Sequence, residues 1–218
     1  MPRLTRTGTT KKDELDMPPR FIARQLSHPT GVLGRVIGRL MNRHNARMNA
    51  FAIKQLGLTS ADHVLEVGFG GGVTLSSLIS TAGYVAGVDR SSVMVERARA
   101  NFAEAVSVGR AQFYEGNIEA LPFGSATFEK ACTINTVYFW PSLRLGFAEL
   151  HRVLSPGGRL VVGFLPKQWM DRMGYPSDVF TSRTPEEVMA ALTGAGFDGI
   201  RVERPEPATR WNVIVASR

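Results

Sequence analysis

The 218-residue sequence contains one cysteine, Cys132. That excludes an intramolecular disulfide and any multi-cysteine metal site, and it suits a reducing compartment. Long hydrophobic runs are missing too. No stretch reaches the roughly 18 consecutive apolar residues of a membrane-crossing helix, and the N-terminus has charged and polar residues where a signal peptide needs an apolar segment. These absences lead to the expectation of a cytoplasmic protein. Acidic charge is short at one end only: residues 1–50 hold ten Lys and Arg against three Asp and Glu, whereas residues 51–218 hold sixteen of each. The whole net charge of +7 therefore belongs to the N-terminal segment. That asymmetry points to contact with an anionic substrate, a membrane surface or a nucleic acid. An apolar content of 44% and a charged content of 21% are ordinary for a globular chain, and the length suits one domain with a substantial core.

The most informative stretch runs Val64-Leu65-Glu66-Val67-Gly68-Phe69-Gly70-Gly71-Gly72. An apolar run ending in a glycine cluster predicts a buried strand, a tight turn and a helix start, an arrangement that holds a nucleotide-like ligand at a strand's carboxyl end. The spacing is not the dinucleotide fingerprint, whose third glycine would stand where Val73 is. Glu66 is a second argument against a pyrophosphate, which its carboxylate would repel. A ligand that lacks phosphate and carries positive charge suits it better. Farther on, Tyr84 to Asp89 reads as a second strand ending in a carboxylate, about twenty residues past the glycine turn, where an acidic side chain can accept from both ribose hydroxyls. A helix cap is the structural alternative for Asp89.

The pattern Glu66-x-Gly68-x-Gly70-x-Gly72 resembles the first motif of the class I S-adenosylmethionine-dependent methyltransferases, and several later stretches match in the expected order. The likeness covers roughly residues 60–165. It is nearest to the small-molecule branch that includes the ubiquinone and menaquinone biosynthesis methyltransferases, of the type 11 kind. The resemblance implies S-adenosylmethionine as cofactor, with Glu66, Gly68, Gly70 and Gly72 around its methionine end and Asp89 on the ribose. It places Arg90 and Met94 along the adenosine. Asn117-Ile118-Glu119-Ala120-Leu121-Pro122-Phe123 resembles a family segment in which an acidic residue accepts from the adenine amino group. Here that residue is Asn117, whose amide oxygen can accept the same bond without the charge assistance. Ile118 then packs on the ring.

Lys130 to Asn135 reads as a fourth strand, and its end at Asn135 should face the reactive methyl group. Asn135-Thr136-Val137-Tyr138 is neither the Asn/Asp-Pro-Pro-aromatic pattern of enzymes that methylate base amines nor a Pro-Cys nucleophile site. Cys132 lies within an apolar strand and reads as core. Glu149 to Leu160 is again family-like and looks structural, with Pro156, Gly157 and Gly158 making the return to the sheet. Trp169 and its neighbours in residues 166–183 either wall an apolar or aromatic acceptor or anchor a loop. Thr184-Pro185-Glu186-Glu187 is a helix start with a capping box.

The expected fold is α/β, a Rossmann-like three-layer sandwich on a seven-stranded, mostly parallel sheet in the order 3-2-1-4-5-7-6, with the last strand antiparallel and a helical N-terminal lid. Residues 1–28 are expected to form a mobile basic tail and residues 29–218 a single methyltransferase domain, made of a helical extension over 29–60 and a core over 61–218. Arg35, Arg39, Arg43 and Arg47 stand four apart on the extension, as either a solvated face or the basic side of a lid. The expected reaction is methyl transfer to an O, N or C atom of a small molecule, with no metal involved. His44 and Tyr138 are the candidate catalytic bases, and Tyr138, Trp140 and Trp169 the candidate substrate contacts. An RNA-directed enzyme using the basic helix and a non-catalytic S-adenosylmethionine-binding module are the alternatives. Nucleic acid is disfavoured by the fourth-strand motif, and a nicotinamide oxidoreductase by Glu66 and the glycine spacing. The arginine stripe leaves open a peripheral contact with a membrane or an acidic group. The sequence does not define an oligomeric state.

Overall fold

Apolar residues alternate along the strands, and that period of two sorts them onto both faces of one sheet. On β1 (His63–Val67), Val64 packs on one side and Leu65 and Val67 on the other. On β5 (Leu154–Phe164) Val161 is set against Leu160 and Val162, and on β7 (Asn212–Ser217) Val213 and Val215 are set against Ile214 and Ala216. The computed structural model describes residues 45–173 and 176–218. The expected tail, the first part of the helical extension, His28, His44, Arg35, Arg39, Arg43 and Tyr175 lie outside them.

The remaining strands are β2 (Tyr84–Asp89), β3 (Ala111–Glu115), β4 (Phe128–Ile134) and β6 (Asp198–Glu203). The seven form one sheet in the order β3-β2-β1-β4-β5-β7-β6. All neighbours are parallel except β7, which runs antiparallel to both β5 and β6. This is the expected order and direction throughout.

Helices cover both faces. On one side lie α1 (residues 45–56, with Met48, Ala52 and Leu56 buried), α2 (Leu75–Thr81) and α3 (Ser92–Asn101). After the short α4 (Ala103–Ser107), α5 (Leu143–Val153) and α7 (Pro185–Gly194) pack on the other side through Phe147, Leu150, Val188 and Leu192. A further short helix, α6 (Lys167–Arg172), follows β5. Helix α7 begins with the expected capping box: Thr184 accepts from the Glu187 amide at 3.1 Å, and Glu187 accepts from the Thr184 amide at 2.9 Å.

Phe102 leaves helical geometry at φ −117° and separates α3 from α4. One local expectation changes. In β5, Leu154 pairs with Phe128 and Arg159 with Lys130, so residues 155–158 bulge out of the ladder, and Pro156-Gly157-Gly158, with Gly157 at φ +77°, makes its return inside β5 instead of before it. Among the described residues, no helix is long and apolar enough to cross a membrane.

Candidate active site

Chain order reverses between β1 and β4, since β2 and β3 extend the sheet to one side of β1 and β4 and β5 to the other. A ligand cleft belongs at the carboxyl ends of the strands flanking such a reversal. The described residues bound a cavity of about 1950 Å³ there, lined by residues from the ends of β1, β2, β3 and β4 together with α1, α6 and the β6–β7 connection. Ordinary small-ligand pockets are about 300–1,000 Å³, so this one has room for a cofactor and a second molecule.

Glu66 points from β1 to the same face as Val64 and is 3% exposed. One carboxylate oxygen, Oε1, accepts from the Thr74 hydroxyl. The other, Oε2, is buried without a hydrogen-bond partner. Burial pushes its pKa up to about 7, against the lowering effect of the Thr74 hydroxyl, and the nearby Asp89 carboxylate adds to the rise. The site therefore contains a buried carboxyl group whose ionisation is shifted up toward neutrality.

The turn after β1 requires glycine for two separate reasons. Gly68 has φ +75°, and a Cβ there would run into the Thr136 side chain, so β1 and the loop after β4 approach more closely than any other residue permits. Gly70 has φ +48°, lines the cavity, and a Cβ on it would meet nothing within 4 Å. A side chain at Gly70 would take up ligand space. Gly72 also has a positive φ, of +74°, and closes the turn by donating to the Phe69 carbonyl at 2.8 Å.

Asp89 ends β2 and is 9% exposed. Its Oδ2 accepts from the Gly70 amide at 2.8 Å and its Oδ1 from the Ser91 amide at 2.9 Å. It thus ties the glycine turn to the second strand. Arg90 lies over the Phe139 ring at 5.7 Å, and Met94 is buried in the cavity wall. Asn117 is exposed at the cavity edge, its Oδ1 accepting from the Glu119 amide at 3.2 Å, while Ile118 beside it is buried. Asn135 follows β4 in the left-handed region at φ +59°, which asparagine tolerates better than other side chains.

Tyr138 is buried, and its hydroxyl donates to Asn135 Oδ1 at 3.2 Å while accepting from the Leu165 amide. Trp140 packs edge-on against Phe147, and its carbonyl accepts from Arg183. Trp169 is half-buried on α6. All three line the cavity, as do Asn45, Asn49 and Phe51 of α1. His63 and His151 pack against Tyr84 and Phe197, respectively, and neither belongs to the cavity lining. Cys132 is fully buried beside Glu66 in the β1–β4 register, and burial pushes its thiol pKa up, as befits a core residue. Among the described residues there is no cluster of His, Cys, Asp and Glu able to hold a metal ion.

Two residues of the lining stand out that sequence order conceals. Arg172 on α6 and Arg210 in the β6–β7 connection both lie over the Trp169 ring, at 4.7 and 4.8 Å from its centroid. They are far apart in the chain, and only the antiparallel return of β6 and β7 brings them together.

A buried carboxyl with one unpartnered oxygen, a glycine turn opening on a cavity, and a carboxylate at the end of the second strand, on a 3-2-1-4-5-7-6 sheet, agree with the resemblance to the class I S-adenosylmethionine-dependent methyltransferases. Residues 65–162 match the family described as a methyltransferase domain, and the chain is an S-adenosylmethionine-dependent methyltransferase, with relatives of the small-molecule type. It is 26% identical over 170 residues to the uncharacterized methyltransferase YdaC of Bacillus subtilis (strain 168), covering 77% of this chain and 89% of that protein. To the ubiquinone/menaquinone biosynthesis C-methyltransferase UbiE of Marinomonas sp. (strain MWYL1) it is 33% identical over 129 residues, 58% of this chain and 49% of that one. The chain thus spans nearly the whole of YdaC but about half of UbiE. Among solved structures, an S-adenosylmethionine-dependent methyltransferase from Mesorhizobium loti shares the fold, with a TM-score of 0.67 at 22% identity over 78% of this chain and 96% of that one.

Proposed function

We propose that this methyltransferase acts on a small molecule with an apolar or aromatic body, accepting at an O, N or C atom, inside the cavity at the ends of β1, β2 and β4. Glu66 holds the methionine ammonium, and Gly68, Gly70 and Gly72 leave space for the cofactor's methionine end. Asp89 accepts from the ribose hydroxyls. Asn117 accepts from the adenine amino group, with Ile118, Met94 and Arg90 along the base, and Asn135 borders the reacting atoms. The observation that carries this reading is Glu66 Oε2, buried, unpartnered and on the cavity wall. An unsatisfied buried carboxylate oxygen is costly, and a ligand ammonium would satisfy it.

The cofactor, once bound, supplies a methyl carbon already activated by its sulfonium. What the chain contributes is orientation and exclusion of water. Tyr138, with its hydroxyl engaged on both sides, is assigned to positioning Asn135 and the end of β5, and its ring to the acceptor wall with Trp140 and Trp169. His44 keeps the role of candidate base for an acceptor that must lose a proton. We assign residues 29–218 to one domain and give the expected extension over 29–60, of which the structure describes residues 45–60, the role of a wall of the cavity. Its described part already contributes Asn45, Met48, Asn49 and Phe51 to the wall.

Calorimetric titration with S-adenosylmethionine and S-adenosylhomocysteine tests the assignment of the cofactor site. Binding of both, weakened at least tenfold in Asp89→Ala, is the expected result. Absence of binding, or binding unaffected by that substitution, overturns the assignment.

A further inference from the structure

The charged residues of the cavity are sorted by sign across the sheet. Glu66, Asp89 and Glu115 stand at the ends of β1, β2 and β3, with Arg90 beside them as the single cation that these strand ends contribute among the described lining residues. Beyond β5, on the other side of the sheet, the lining carries Arg172 and Arg210, with Glu206 as the only acid among the described lining residues there, and Arg47 is contributed by α1. Strands are spaced by about 4.8 Å, so β2 and β5, three places apart in the sheet, are separated by roughly 14 Å. The acidic end suits the cationic cofactor. The basic end needs an occupant of its own.

Arg172 and Arg210 share one ring, which puts their charge centres within about 10 Å of each other. At that separation, close to the Debye length of 0.1 M salt, like charges on an exposed rim still repel. Neither has a carboxylate partner among the described residues: the ion pairs on α6 and β6 are Lys167–Asp171 and Arg201–Glu203. Where a guanidinium meets an aromatic ring face to face, its N–H groups lie in a plane parallel to the ring and stay available at its edges. Two such groups offer edge-on donors of the kind that bind a carboxylate or phosphate in bidentate fashion.

Building on the cofactor assignment above, we propose that the methyl acceptor is an aromatic or apolar anion whose carboxylate or phosphate is held by Arg172 and Arg210, with its body against Trp169 and Phe180. The two guanidiniums, gathered over one ring, form a subsite at the rim of the cavity. The anion also neutralises the repulsion between them. Arg47 reinforces the field from α1, and Glu206 limits it.

The test uses matched probes on the full-length protein saturated with S-adenosylhomocysteine. 1-Naphthoate, 1-naphthyl phosphate and the neutral 1-naphthalenemethanol are titrated calorimetrically at low and moderate salt. We expect at least one anion to bind tenfold or more tightly than the alcohol, with a preference that shrinks as salt rises. The better anion identifies carboxylate or phosphate as the group recognised. Arg172→Gln with Arg210→Gln should abolish the preference, and Arg172→Lys with Arg210→Lys should retain part of it, while S-adenosylhomocysteine binds all variants equally. Equal binding of the three probes, no binding of any of them, or a preference that survives the double glutamine substitution overturns the anion subsite. Loss of S-adenosylhomocysteine binding by the native protein would instead overturn the cofactor assignment, so the two failures are distinguishable.

Discussion

Glu66→Gln should make the ligand-free protein more stable and the cofactor weaker, and the two effects have one cause. The Glu66 pKa is raised from 4.5 to about 7 in the folded chain, chiefly by burial. Between those values the folded state binds a proton that the unfolded state has lost, so this group's contribution to stability falls as pH rises through the window and stays at its lowest above about 7. At 1.36 kcal/mol per pKa unit the full effect is about 3 kcal/mol as an upper bound. Glutamine keeps an oxygen for the Thr74 hydroxyl and carries no charge, although its amide leaves a donor to satisfy. A gain of between about 1 and 3 kcal/mol at pH 8 follows, vanishing toward pH 4.5. For a chain of this size that is a rise of several degrees in Tm.

Cofactor binding should move the other way. An ammonium against Oε2 requires the carboxylate, so binding near pH 6 should release about 0.9 of a proton from Glu66. Native affinity should climb up to tenfold per pH unit toward 7 and then decline above about 8, as the cofactor's own amine loses its proton. In Glu66→Gln the acidic limb disappears and affinity at pH 7.5 drops by about 10- to 150-fold, the worth of a hydrogen bond between charged groups. Titrating S-adenosylhomocysteine in two buffers of different ionisation enthalpy counts the protons, and thermal melts from pH 5 to 8 supply the stability. Proton release that is absent in the native protein, or equal in the variant, refutes the placement of a cation at Oε2.

The other substitutions separate binding from architecture. Asp89→Ala removes the acceptor for the Gly70 and Ser91 amides as well as the proposed ribose contact, and a fall in cofactor affinity of at least tenfold with a loss of about 1–2 kcal/mol in chemical denaturation is expected. Gly68→Ala meets the Thr136 side chain at a backbone conformation that alanine resists, so calorimetry should show a strong loss of cofactor binding and a lower Tm. Tyr138→Phe keeps the ring and leaves the half-buried Leu165 amide without the Tyr138 hydroxyl as its acceptor. Chemical denaturation should register about 1–2 kcal/mol, and transfer from labelled cofactor should persist; a loss of turnover with its pH profile displaced would restore Tyr138 as the base.

The parts of the site that sequence order makes visible are those held by one strand and the turn after it. Glu66, Gly68, Gly70 and Asp89 could be placed from an apolar run, a glycine spacing and a terminal carboxylate, because each sits at the end of a strand whose period is readable. The capping box at Thr184 was equally local. The break at Phe102 is not legible in the chain, because apolar residues keep a helical period past it while the backbone does not. The double engagement of Asp89 with backbone amides has no signature in composition, since the Gly70 amide reaches it from 19 residues away. The Arg172–Trp169–Arg210 stack depends on how the last two strands return, and no pattern of charge along the chain marks it.

Trp140, Trp169 and Trp211 are the only tryptophans in the sequence, and all three line the same cavity. The tryptophan emission of this protein, excited selectively over tyrosine, therefore originates from the walls of its ligand site. No label is needed to follow occupancy in real time, and stopped-flow traces can time the arrival of each ligand. Because Trp169 is stacked with two guanidiniums and Trp211 lies 5.6 Å from Phe51 of α1, the three emitters should respond unequally as the two ends of the cavity fill.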